Sequence, residues 1–153
     1  MEDNDFGINA KQHRILASRL FNYTWELMEK ERSLEDDELM ISVAQASLFH
    51  WRFAGGKLEI SRGHWIISRV YSILKMPESS LYHGMRDLTI CEEENFSDFD
   101  MGFANEAVAR AYSIKGSKEL AIVYIKKAME YAQKIDDGED KNWLETNINT
   151  III

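Results

Sequence analysis

One proline, one cysteine and eight glycines are all that this chain of 153 residues contains. So little turn punctuation argues against a sandwich or barrel and for long helices joined by short loops. A lone cysteine, Cys91, forms no internal disulfide and excludes a four-cysteine zinc site. No apolar run approaches the roughly 20 residues that a bilayer-spanning helix needs, so no membrane partner is expected. The stretch Met1–Gln12 lacks the basic and apolar regions of a signal peptide, which makes the cytoplasm the expected location. Basic residues are also short: 18 Lys and Arg against 26 Asp and Glu give a net charge of -8. An acidic surface repels phosphate backbones, so nucleic acid is not an expected partner. There is no GxSxG, no phosphate-cradling glycine loop, no dinucleotide fingerprint and no HExxH. No catalytic residue, metal or cofactor is therefore expected.

The hydrophobic fraction of 45% and charged fraction of 29% describe a chain neither disordered nor membrane-embedded, of a length that suits one domain over 1–153. Apolar residues recur at helical steps throughout. Leu16, Leu20, Tyr23 and Leu27 mark a first helix, and Leu39, Val43, Ala44, Ser47 and Trp51 a second, capped by Ser33. Gly55-Gly56 is expected to end the second helix in a left-handed cap. Ile66, Ile67, Val70, Tyr71 and Leu74 form the stripe of a third, and Pro77 opens a fourth carrying Leu81, Met85, Leu88 and Cys91. A fifth, with Ala104, Val108, Ala111 and Tyr112, stops at Gly116. A sixth has Ala121, Tyr124, Ile125, Ala128, Ala132 and Ile135, and a short seventh has Trp143, Leu144, Ile148 and Ile151.

The order of these elements predicts an all-α fold of three antiparallel helical hairpins, near 9–55, 58–95 and 97–136, with a capping helix near 140–151. The third hairpin resembles a tetratricopeptide repeat residue by residue. Ala109 falls on its first small position, Tyr112 on its aromatic position and Gly116 on its turn glycine. Ala121 and Ala128 match the small positions of its second helix, with Ile122 and Met129 following them. In the second hairpin Tyr71, Leu74, Leu81 and Leu88 match, while Ser68, Ser80 and Asp87 replace the usual small residues. The chain is similar to short tetratricopeptide-like bacterial proteins. That resemblance implies hairpins stacked as a right-handed superhelix and leaves the task open.

In this repeat family the first helix of each hairpin lines a concave groove. The resemblance thus places Arg62, Trp65, Ile66 and Arg69 in it, with Phe103, Glu106, Ala107 and Arg110 from the next hairpin. A peptide-binding role follows as the leading expectation. Arg62, Arg69 and Arg110 would pair carboxylates of an acidic peptide, Trp65 would give apolar contact, and Glu106 would orient Arg110. The plainer reading of Glu106 and Arg110 is a surface ion pair at helix spacing. A second expectation is a small-molecule or catalytic pocket assembled from His50, Arg62, His64 and His83. The histidines lack zinc-binding spacing, and structural roles compete with that reading. Glu92, Glu93 and Glu94 beside Cys91 argue against an activated thiol. The third expectation is a structural protein that forms homo-oligomers through Ile151, Ile152 and Ile153.

Overall fold

The computed structural model describes residues 6–153; the first residues of the polar stretch Met1–Gln12 and of the expected domain 1–153 lie outside the described region. Among the described residues seven helices follow one another: α1 (Ala10–Glu29), α2 (Leu34–Ala54), α3 (Lys57–Ile73), α4 (Pro77–Glu94), α5 (Asp98–Lys115), α6 (Lys118–Lys134) and α7 (Gly138–Asn149). Among the described residues there is no strand and no helix long and apolar enough to cross a membrane.

Local chemistry sets the boundaries. Asn9 and Ser33 each accept from the backbone of the third helical residue, and Gln12 and Asp36 reach back to complete reciprocal capping boxes. Pro77 occupies the first turn of α4, where its missing N–H costs nothing. Left-handed residues close α4 at Asn95 (φ 50°) and α5 at Gly116 (φ 86°). The Gly55-Gly56 junction departs from expectation. Both residues are extended, at φ -107° and -99°, so handedness is not what selects glycine there. Space is: a Cβ on Gly55 would stand 2.9 Å from Glu59 Cβ and from the Trp51 ring.

The hairpins α1–α2, α3–α4 and α5–α6 stack in sequence, and α7 packs on α5 and α6. Within the stack α1 touches α3, α3 touches α5 and α5 touches α7, whereas α2, α4 and α6 do not meet. This makes an inner layer of odd-numbered helices backed by an outer layer of even ones, the arrangement of an all-α helical repeat. Small residues sit at the crossings. Ala109, Ala121 and Ala128 are fully buried. At the α3–α4 crossing Ser68 Oγ donates to the Ser80 carbonyl (2.8 Å) and Ser80 Oγ returns a bond to the Ser68 carbonyl (2.9 Å). Serine thus fills the small position while its hydroxyl is satisfied in the interior.

The buried face of α1 is rotated from the one that Leu16 and Tyr23 mark, while in α2 Val43, Ala44 and Ser47 are buried as expected. In α1 the buried set is His13, Ala17, Thr24 and Leu27, while Leu16 and Tyr23 are 37% and 40% exposed. In α2, Met40 and Leu48 are buried and Leu39 is exposed. The α1–α2 crossing is close, so it selects small residues, and Ser47 Oγ donates to the Ala17 carbonyl across it at 2.8 Å.

Candidate functional site

The inner layer lines a half-open cavity of about 330 Å³. Phe21 and Trp25 reach it from α1, Arg62 and Trp65 from α3, Phe99, Asp100 and Phe103 from α5, and Trp143 from α7. Asp87 enters from α4 behind them. The pairs Phe21/Trp25 and Phe99/Phe103 are each four residues apart, which presents both rings of a pair on one helical face. Trp25 lies 5.7 Å from Trp65 and 6.4 Å from Trp143, and Phe103 stands edge-on to Trp65 at 5.7 Å. Trp65 is 8% exposed, whereas Trp143 is 47% exposed and stands at the rim. Three tryptophans and three phenylalanines therefore wall a space sized for one side chain or a small molecule.

Two carboxylates face this aromatic space in different states. Asp100 is paired: Arg62 Nε and Nη2 donate to its two oxygens at 2.9 and 3.3 Å, and Ser97 Oγ donates at 3.1 Å. Asp87 is 3% exposed and has only neutral hydrogen-bond partners. Ser61 Oγ donates to its Oδ1 at 2.5 Å, and Cys91 Sγ donates to the same oxygen at 3.4 Å. Its Oδ2 accepts no hydrogen bond, and no fully enclosed side-chain oxygen of the described residues lacks a partner. Oδ2 is therefore the atom that borders the cavity. Burial pushes Asp87 up to about 7, against the opposing pull of Ser61 and Cys91. Burial and the neighbouring Asp87 together push the Cys91 thiol far up, which keeps it neutral behind Asp87.

The arginines of the sequence reading share the inner layer but are differently employed. Glu106, fully buried, receives Arg69 Nη1 at 2.9 Å, Arg110 Nε at 2.8 Å and Arg110 Nη2 at 2.5 Å on one oxygen. Its other oxygen accepts from Trp65 Nε1 at 3.3 Å. Arg69 continues to Asn147 Oδ1 (3.1 Å), and Arg110 to the Asn147 carbonyl (2.9 Å) and Thr150 Oγ1 (2.8 Å). These two guanidiniums tie α3, α5 and α7 together and lie outside the cavity lining. Of the five residues assigned to a peptide groove, Arg62 and Trp65 line the cavity; Arg69, Glu106 and Arg110 form the ionic knot beside it.

The four residues of the histidine pocket are not brought to one cavity. His50 Nδ1 meets His13 Nδ1 at 2.8 Å, and His64 Nδ1 meets His83 Nδ1 at 2.9 Å. Arg62 precedes His64 by two residues, roughly 200° around a helix of 3.6 residues per turn. It therefore faces α5 while His64 faces α4. Burial, then the partner ring and nearby Arg52 and Arg86, lower His64 to about 4; burial and Arg52 lower His83 likewise to about 4. No group of three or more His, Cys, Asp or Glu among the described residues is placed to hold a metal ion.

Phe21, Trp25, Asp87, Phe99, Asp100 and Trp143 belong to the site without having been singled out for it. The aromatic pairs carried a signal in their four-residue spacing on inner helices. Asp87 carried a sharper one, a charge where the repeat pattern has a small residue. Comparison of the chain with family models, curated proteins and solved structures returns no match.

Proposed function

We propose that the chain is a non-catalytic protein- or peptide-binding module that takes one side chain of its partner into the aromatic cavity. The observation that carries this reading is the cavity itself: three tryptophans and three phenylalanines around one space on the inner layer of a helical repeat. Apolar side chains left lining a space this large forgo the packing that a collapsed core would supply. Rigid aromatic walls with few, fixed polar groups suit recognition of one inserted residue. The half-exposed Arg62, held by Asp100, supplies a polar edge for the partner's backbone. Arg69 and Arg110 act in this reading as supports, since their donors are committed to Glu106 and α7.

A peptide array probed with the full chain tests the proposal when repeated with Trp143→Ala. Trp143 is half-exposed, so its loss leaves the core intact, and we expect at least about tenfold weaker binding of every selected peptide. Peptides that bind Trp143→Ala and Phe99→Ala as well as the parent overturn the reading. A second reading rests on Ile152 and Ile153, which are 80% and 49% exposed and suit a contact between copies. An unchanged molar mass in solution for the double substitution Ile152→Asp and Ile153→Asp removes it.

A further inference from the structure

The chemistry of the cavity narrows its occupant further, on the footing that the cavity is the binding site. Among the described residues, only one of its two carboxylates is paired with a cation. Arg62 and Asp100 neutralise each other through two hydrogen bonds, and Ser97 adds a third to Asp100. Asp87 has no cationic partner. Both of its hydrogen bonds come from neutral groups and fall on Oδ1. Oδ2, on a side chain almost wholly buried, is left facing the space between the aromatic rings. A carboxylate this deeply buried ionises at a cost unless a cation accompanies it. Arg69 and Arg110 cannot, because Glu106, Asn147 and Thr150 hold them.

The walls point the same way. Aromatic faces attract cations through the negative face of the ring, tryptophan most strongly, and a desolvated site amplifies the attraction. Trp25, Trp65 and Trp143 converge within 6.4 Å of one another in two successive pairs. An anionic occupant would meet the same ring faces and Asp87 with repulsion, and its natural receiver, Arg62, is already engaged. The molecule as a whole carries a net charge of -8, which draws cations toward it.

We propose that this cavity receives an alkylammonium group, the cation against Asp87 Oδ2 and its methyl or methylene surface between Trp25, Trp65 and Trp143. The group comes either from a lysine side chain of a partner, plain or methylated, or from a free organic amine. The groups facing Asp87 are Ser61 and Arg62 from α3, Cys91 on its own helix, and Asp100 and Glu106 from α5. The cation adds the missing positive charge to this set, and Asp87 then gives up its proton to solvent as the ammonium binds.

The test titrates the full chain, followed by tryptophan fluorescence and calorimetry, with choline and with its neutral carbon isostere 3,3-dimethyl-1-butanol. A parallel arm uses a short peptide carrying lysine, trimethyl-lysine or norleucine at one position. We expect the cationic member of each set to bind at least about tenfold more tightly than the neutral one. We also expect Asp87→Asn, which keeps shape and folding, to abolish that preference. In the parent protein near pH 7, binding enthalpies of the cation should differ between buffers of different ionisation enthalpy, reporting the released proton. Tighter binding of the peptide than of choline assigns the ammonium to a partner protein, and the reverse assigns it to a free amine. Equal binding of neutral and cationic probes, or a cation preference that survives Asp87→Asn, overturns the ammonium proposal and leaves the cavity as an apolar site. Failure of every probe to perturb the tryptophans overturns both this inference and the binding reading beneath it.

Discussion

Glu106 is one buried carboxylate that answers to two guanidiniums, and the imbalance has a measurable cost if it is disturbed. Removing one partner of a buried ion pair leaves an uncompensated charge, which costs about 3–5 kcal/mol. Glu106→Leu strands Arg69 and Arg110 together and also frees the Trp65 indole N–H. We therefore expect a fall in unfolding free energy of that size, read from the urea midpoint. The same logic recasts Arg69→Ala. Arg69 is 17% exposed at its side chain and holds Glu106 and Asn147, so its loss should lower stability first and affect ligand affinity only through the loosened α7. Arg69→Lys does not rescue it, because an ammonium lacks the planar fork that bridges two acceptors on two helices.

Between elements, the most exacting contact is α5 against α7 at Gly102. A Cβ there would stand 2.3 Å from Leu144 Cδ2 and 3.4 Å from Tyr131 Cβ. Leu144 is fully buried, so any shift of its methyl must be taken up by the surrounding core. Gly102→Ala should therefore destabilise the protein by about 1–3 kcal/mol through overpacking, despite alanine's better helix propensity. The damage should appear as faster amide exchange confined to α7. Pairing Gly102→Ala with Leu144→Ala should restore part of the loss, as a double-mutant cycle of melting temperatures would register. Contacts of this kind also explain what the sequence disclosed. Number and order of the helices and several of their caps were readable because each depends on neighbours within a few residues: Ser33 with Asp36, Pro77 in its turn, Gly116 in its left-handed cap, though not the Gly55 cap. The orientation of α1 was only partly readable, because Leu16 and Tyr23 stand beside the true seam, which runs through His13, Ala17, Thr24 and Leu27; in α2, Val43, Ala44 and Ser47 marked the buried face and Leu39 did not. The site was half legible for a related reason. Charge type and helix face identified Arg62, Arg69, Glu106 and Arg110 as inner-layer residues. Whether they meet a ligand or one another depends on separations of 37 to 38 residues that only the folded chain brings together. Asp87 looked like a defect in a repeat until its burial beside the cavity was visible.

Across the whole molecule, two kinds of buried titrating group set opposite responses to pH. His64 and His83 bind protons near 4 when folded and near 6.5 when unfolded. Their contribution is complete above about 6.5 and is lost as pH falls toward 4. Asp87 titrates near 7 when folded and at 3.8 when unfolded. Its contribution is complete below that lower value and is lost as pH rises toward 7. Between about pH 4 and 6.5 the trends oppose, and two histidines outweigh one aspartate, with His50 lowered in the same sense. The urea midpoint should therefore drop on acidification from pH 6.5 to 4.5. Asp87→Asn deletes the opposing contribution and should make the drop steeper; a shallower drop in that variant would contradict the assignment. His83→Gln, which leaves one histidine of the pair, should flatten it.

Trp143, the rim of the cavity, lies one helical turn before Asn147, the residue on which both Arg69 and Arg110 fasten. The wall that a ligand would touch and the clasp that keeps it in place are thus a single short helix, anchored by charge at one end and by Leu144 in the middle. Loosening that helix would free Trp143, the rim of the chamber, at the expense of the Leu144 and Ile148 packing. Residence time of an occupant then becomes a property of the clasp: Thr150→Val, which removes one acceptor of Arg110, should raise the dissociation rate, followed by stopped flow, from a position outside the cavity lining.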